Sequence, residues 1–279
     1  MSGRSICAAL GQFHVSPSID ANLETIARLA RAAAERQADL LVLPESAGVR
    51  YDPRQALHRI AQPLSGDFVS ALREVAMENN LTVVAGMLES IELREVVHNT
   101  VVAVGSDGSL LGSYRKMHLF DTPAARESDQ VVAGGGDLLT FDVGGVTCGI
   151  ATCYDIRFPE ITRRLTDLGT ELVLVPTAWV VGPLKESQWE VLVRARAIEN
   201  TVYVAGAGQV GGAYCGRSML IDPFGIRLAE ATEEAETLTV GRVSSERVND
   251  VRLRVPSLQH RRLDVYSLWQ QDAAVGAKP

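Results

Sequence analysis

"GVTCGIATCYDIRFPEITRRLTDLGTELVLVPTAW", residues 145–179, is the stretch on which the reading of this chain turns. An apolar run breaks at Cys153, where a tyrosine, an acid and an arginine follow. "PEITRRLTDLG" then has a helical pattern stopped at Gly169, and "ELVLVPTAW" is a second apolar run. Strand, helix and strand in succession imply an α/β fold, and nearly all-apolar strands imply a sheet buried on both faces.

The same alternation extends outward. "ICAALGQFHV" reads as a buried strand. "ANLETIARLARAAAERQ" reads as an amphipathic helix with Leu23, Ile26, Ala27, Ala30 and Ala34 on one face. "DLLVLPES" is a short strand that Pro44 helps to end. "FVSALREVAMENN" is a helix ending at Asn79/Asn80, and "LTVVAGMLE" a strand. After residue 180 comes the helix "SQWEVLVRARAIEN" and the strand "TVYVAGAGQ". Three hairpins interrupt the alternation, turning at Ser106-Asp107-Gly108, at Gly144-Gly145 and at Asp222-Pro223-Phe224-Gly225. They make the sheets mixed rather than purely parallel. Residues 121–137, polar and glycine-rich, read as a loop that could cover a site. The expectation is one α/β domain over residues 1–270, with a flexible tail at 271–279.

Composition narrows the function. The formal net charge is −7 and no basic run exceeds "HRR" at 260–262, which argues against nucleic acid or an anionic membrane surface as partner. No apolar run reaches the roughly 18 residues that span a bilayer. The N-terminus lacks a long apolar h-region, so a cytoplasmic location is expected. Four scattered cysteines, Cys7, Cys148, Cys153 and Cys215, do not make a disulfide framework. Five dispersed histidines form neither HxH nor HExxH, and no metal site is expected.

Four apolar strands end in polar chemistry, where layered α/β folds collect catalytic groups. "LLVLPES" delivers Glu45, "LLGSYRKMHLF" delivers Lys116, "GIATCYD" delivers Cys153, and "LVLVPTAW" delivers Thr177 and Trp179. Each alone has a plainer reading, as a solvated carboxylate, a charged hairpin edge, an inert core thiol or packing residues. Together they make a coherent set. A glutamate whose pKa is raised by burial and a neighbouring carboxylate can take the thiol proton. A lysine between them can hold an oxyanion, with the backbone N–H of Tyr154 as second donor. The dipole of the helix beginning near Phe158-Pro159 would favour the thiolate.

"LLVLPES", "YRKMHLFD" and "GIATCYDIRFPE", in that order, resemble the three catalytic signatures of the nitrilase (carbon–nitrogen hydrolase) superfamily. The segments "WEVLVRARAIENTVYVAGAGQ", "GRSMLIDPFG" and "RVPSLQHRRLDVY" are similar to its flanking segments, so the resemblance runs from about residue 6 to 266. It implies a four-layer αββα sandwich with two mixed β-sheets, in a homodimer or higher homo-oligomer. It implies Glu45 as general base, Lys116 as oxyanion stabiliser, Cys153 as nucleophile and Glu127 as a second glutamate near the lysine. Arg157, in "CYDIRFPE", is read either as a pocket residue, with Thr177 and Trp179, or as an ion-pair partner of Asp155, Glu160 or another acid.

The reaction so implied is hydrolysis of a small carboxamide through a cysteine thioester, releasing ammonia, with no metal or organic cofactor. The omega-amidase and deaminated-glutathione amidase branches are the most similar, and they take small carboxylate-bearing amides. Between "GP" and "WE", however, this chain has "LKESQ" where those branches more often have a shorter "AH". A carbamoyl-amine hydrolase is the nearer alternative and a true nitrilase the farther. Outside these classes stand a non-catalytic binding protein and a thiol-redox protein.

Overall fold

The run Leu40–Leu43 shows why the strands carry so little polarity. Leu40 and Val42 pack into the core between two sheets, whereas Leu41 and Leu43 pack against helices, and all four are fully buried. Successive side chains of a strand point to opposite faces, so a strand dry on both sides must be apolar throughout. The computed structural model describes residues 4–52, 54–123, 126–233 and 235–268; the tail expected at 271–279 lies outside them.

The first half of the chain runs β1 (Ser5–Gln12), α1 (Ile19–Glu35), β2 (Leu40–Val42), α2 (Asp67–Asn79), β3 (Thr82–Ser90), β4 (Val97–Val104) and β5 (Leu110–Arg115). The second half runs β6 (Thr140–Val143), β7 (Val146–Ile150), α3 (Pro159–Asp167), β8 (Leu172–Thr177), α4 (Lys185–Asn200) and β9 (Tyr203–Gly208). It continues through a small ribbon of β10 (Val210–Gly211) and β11 (Tyr214–Cys215) to β12 (Met219–Ile221) and β13 (Arg227–Glu230). Then come β14 (Thr237–Ser244) and α5 (Ser245–Arg254).

Two six-stranded sheets result, in the orders β14-β1-β2-β3-β4-β5 and β13-β12-β9-β8-β7-β6. Counted from the β14 edge of one and the β6 edge of the other, their pairings are alike: antiparallel, parallel, parallel, antiparallel, antiparallel. Helices α1 and α2 cover the first sheet, α3 and α4 the second, giving the four-layer αββα sandwich with mixed sheets. The three expected hairpins are β4–β5, β6–β7 and β12–β13. Gly144 and Gly145 both have positive φ, +56° and +84°, as a two-residue hairpin turn of this twist requires.

One sheet edge is not evident from the sequence pattern. "TLTVGRVS" forms β14, which pairs antiparallel with β1 along eight residues. It is mostly half-buried, so its pattern lacks the apolar density that marks the inner strands.

The sandwich brings together strand ends from both sheets. Glu45 follows β2 and Lys116 follows β5 in one sheet; Cys153 follows β7 and Thr177 ends β8 in the other. The turn carrying Glu45 rests on Gly86 of β3, where a Cβ would lie 2.4 Å from the Ser46 nitrogen and 2.6 Å from the Glu45 Cα. Those are backbone atoms and cannot swing aside. Gly86→Ala is therefore expected to displace Glu45 and to destabilise the fold by about 1–3 kcal/mol through overpacking. Thermal unfolding together with an activity assay checks this; an alanine variant matching the parent in both would contradict the packing argument.

Candidate active site

Glu45 stands 4% exposed at the seam between the sheets. Its Oε1 accepts from Lys116 Nζ at 2.9 Å and from Asn99 Nδ2 at 2.8 Å, and its Oε2 accepts from the Ala178 N–H at 2.8 Å. Its main-chain carbonyl accepts from Gln209 Nε2 at 2.6 Å, which ties the turn to the opposite sheet. Burial pushes this carboxyl up. The Lys116 charge, its hydrogen bond and those of other neighbours such as Asn99 together outweigh burial, and Glu45 ends below the ordinary glutamate range. This reverses the expectation of a raised pKa, because the cation lies directly on the carboxylate.

Lys116 is 3% exposed and bridges two carboxylates. Besides Glu45, its ammonium reaches both oxygens of Glu127, at 3.1 and 2.9 Å. Burial lowers the lysine's pKa, but Glu45, Glu127 and Cys153 together raise it well above the ordinary value, so it stays charged. Glu127, in the 121–137 loop, is buried rather than solvated, and its Oε2 also accepts from the Phe120 N–H at 2.7 Å. Asn99 of β4 is a site residue that the motifs did not point to. Its single Nδ2 donates to Glu45 at 2.8 Å and to Glu127 at 2.9 Å, clamping the two acids. "HNTVVAV" reads as ordinary strand, and only the fold shows what its amide spans.

Cys153 adopts a left-handed backbone, φ +46°, where the chain turns out of the sheet into a single 3-10 turn, Cys153–Arg157. A non-glycine residue held there costs of order 1–3 kcal/mol and needs firm support. Asp155, fully buried, provides it: its carboxylate accepts from the Thr152 N–H, the Tyr114 hydroxyl, and the N–H and ring nitrogen of His118. The helix expected to aim its dipole at the thiol, α3, starts only at Pro159, with the 3-10 turn between it and Cys153. Burial and then the Glu45 charge push the thiol up; Lys116, the Thr177 hydroxyl and the Ala178 N–H partly oppose them. At neutral pH the pair is a thiol beside a carboxylate.

Glu45, Lys116, Glu127 and Cys153 line one cavity of about 320 Å³, walled by Tyr51, Phe120 and Tyr214. Thr177 lies buried beneath it. Tyr154 and Trp179 line a recess beside Cys153. Arg157 pairs with no acid among the described residues. Asp155 is already engaged, and Arg157 donates to Gln188 at 2.7 Å and stacks its guanidinium 4.9 Å from the Trp179 ring. Among the described residues no three His, Cys, Asp or Glu side chains converge as a metal site would. No described helix is long and apolar enough to cross a membrane.

Residues 7–253 match the carbon–nitrogen hydrolase family. The chain belongs to that family. Among its relatives, the deaminated glutathione amidase of Escherichia coli O157:H7 is 39% identical over 256 residues, covering 91% of this chain and 96% of the relative. The mouse omega-amidase NIT2 is 31% identical, covering 93% and 96%. An amidase from Nesterenkonia sp. AN1, a double mutant solved in complex with acrylamide, superposes with a TM-score of 0.84 at 28% identity, covering 96% of this chain and 98% of that one. This carbon–nitrogen hydrolase is accordingly an amide-hydrolysing enzyme of the nitrilase superfamily.

Lys116→Met would leave two buried carboxylates without their cation, which is expected to cost about 3–5 kcal/mol at pH 7. In the variant Glu45 loses the cation that opposes its burial, so its folded-state pKa rises, protonation favours the folded form and the deficit narrows on acidification. In the parent, the lowered Glu45 pKa contributes stability above the ordinary 4.5, lost as pH falls through the folded value. Denaturant unfolding at pH 7 and pH 5 distinguishes this from a deficit independent of pH.

Proposed function

We propose that the chain hydrolyses a small ω-amide through a thioester on Cys153. The observation carrying this reading is that Glu45, Lys116 and Cys153 line one cavity, with the Lys116 ammonium on the Glu45 carboxylate and that carboxylate's charge acting on the Cys153 thiol. As Sγ attacks the amide carbon, its proton passes to Glu45. The carbonyl oxygen becomes an oxyanion held by Lys116 and the Tyr154 N–H. One bifurcated Lys116 N–H can serve both Glu127 oxygens and a second Glu45, leaving a third for the oxyanion.

Collapse breaks the C–N bond, and ammonia departs with the Glu45 proton. Water then attacks the thioester, gives a proton to Glu45, and the acid leaves as the thiol is re-formed. Glu127 and Asn99 are positioning residues, since they hold Lys116 and Glu45 in place. The relatives named deaminated glutathione amidase and omega-amidase support a carboxylate-bearing amide as substrate.

A homodimer belongs to the same reading. Val191 and Ile198 of α4 and Ile226 and Leu228 of the neighbouring hairpin are 44–64% exposed, an apolar face that a second copy would cover. A cytoplasmic location is supported by four unpaired cysteines.

Ammonia release from a panel of ω-amides, carbamoyl amines and nitriles tests the reaction, with Cys153→Ala as control. Unchanged release by that variant would remove Cys153 from the mechanism, and a preference for carbamoyl amines would replace the amide. Mass spectrometry of the trapped acyl-enzyme would locate the acyl group on the Cys153 peptide.

The pH dependence follows from the two shifts. The base must be ionised, and Glu45 is held below the ordinary 4.5, so the acid limb of kcat/KM falls below that value. The thiol is held above the ordinary 9.0, so iodoacetamide alkylation of Cys153 at pH 7 is slow and accelerates with pH through that region. Fast, pH-independent alkylation would mean a preformed thiolate.

A further inference from the structure

Beside Cys153 the main cavity opens into a recess bounded by Tyr154, Trp179 and Lys185. Two cations meet there. The Lys185 ammonium lies 4.9 Å from the Phe120 ring centroid and 5.4 Å from that of Trp179. The Arg157 guanidinium lies 4.9 Å from the same Trp179 ring and 6.0 Å from Tyr154. Aromatic faces hold both cations without neutralising them. Burial and then the Arg157 charge disfavour protonation of Lys185, and among the described residues no carboxylate pairs with it. Arg157 is engaged by the neutral Gln188. Glu186, next in the chain, acts instead on Cys215. In a chain of net charge −7, two like charges share one ring beside the reacting atom, and among the described residues neither forms an ion pair with an acid.

We infer that Lys185, seconded by Arg157, is the specificity-determining residue that takes the carboxylate of an ω-amide acid in the recess beside Cys153. The backbone of Lys185 is held firmly in place, since its carbonyl accepts from Trp179 Nε1 at 2.8 Å and its N–H donates to Gly182 at 3.0 Å. It opens α4, whose first N–H groups also favour an anion. It belongs to "LKESQ", the stretch between "GP" and "WE" that opens α4. An incoming carboxylate relieves the repulsion between the two cations, whereas a neutral amide of the same length leaves it in place. The inference rests on the proposed ω-amide reading and gives that reading its selectivity.

Binding to Cys153→Ala protein tests it without turnover, using glutaramate and its neutral analogue butyramide as calorimetric probes. Glutaramate is expected to bind more tightly than butyramide. Adding Lys185→Gln should weaken glutaramate about tenfold, the scale of one lost charge-assisted hydrogen bond, and leave butyramide within about twofold. Lys185→Arg should restore most of the affinity, and raised salt should weaken glutaramate more in the Cys153→Ala parent than with Lys185→Gln added. In the active enzyme the Lys185→Gln change should appear in KM for glutaramate rather than in kcat. Equal affinity for the two probes in the Cys153→Ala parent, or an equal loss of both in the Lys185→Gln variant, would overturn the inference. Failure of the active enzyme to release ammonia from any amide would overturn the functional reading instead, and the binding result would still decide this one.

Discussion

A buried ammonium between two buried carboxylates is the constraint on which the site depends. Lys116, Glu45 and Glu127 are each less than a tenth exposed, so none could be kept charged by water. Lys116 opposes the burial that would neutralise Glu45, and the two acids oppose the burial that would neutralise Lys116. Asn99 adds a neutral donor shared by both acids, holding them close without adding charge. Such a cluster costs free energy to build and more to leave incomplete. The strand ends that deliver it are correspondingly rigid: β3 and β4 pair over eight residues, and Gly86 lets the Glu45 turn lie directly on β3.

The same charge count governs the sulfur. One cation between two anions leaves the cluster with one net negative charge, and a thiolate would add a second among buried groups. Burial first, and then the Glu45 charge, hold the resting thiol above its ordinary value although a lysine stands near it. In the proposed reaction attack does not add charge. The proton moves to Glu45 while negative charge appears on the substrate oxygen, so the cluster's total is unchanged and the anion is moved toward Lys116. Activation thus waits for a substrate that can accept the electrons.

Much of this was legible in the sequence. Glu45, Lys116 and Cys153 each end a strand; alone each has a plainer reading, and it is their combination and order, with the resemblance they carry, that singles them out. Helices α1 to α4 and the three hairpins follow from period, glycine and proline. What escaped depends on contacts distant in sequence. Asn99 spans partners 54 and 28 residues away from inside an ordinary-looking strand. The direction of the Glu45 shift requires knowing that Lys116 touches it. Arg157 and Asp155 look like a pair by proximity, yet Tyr114 and His118 claim the aspartate from the other sheet. Strand β14 is an edge, and edges carry the weakest apolar signal.

The segment after β8 serves the charged cluster and the recess at once. The Ala178 N–H holds Glu45 at 2.8 Å, and the next residue, Trp179, holds the Lys185 carbonyl at the same distance. A change of recess could therefore disturb the proposed base, one residue away. Two features separate them. Strand β8 is paired with β9 through Thr177, and the Thr177 carbonyl accepts from the Gln209 N–H, so Ala178 is positioned by the sheet whatever follows it. Beyond Trp179 the backbone is held by its own local bonds, Gly182 to Lys185 and Leu184 to Gln188, so residues there can change in length and charge without pulling on β8. In this layout the proposed chemistry is fixed by both sheets, and the proposed carboxylate subsite lies on a short loop and the first turn of one helix.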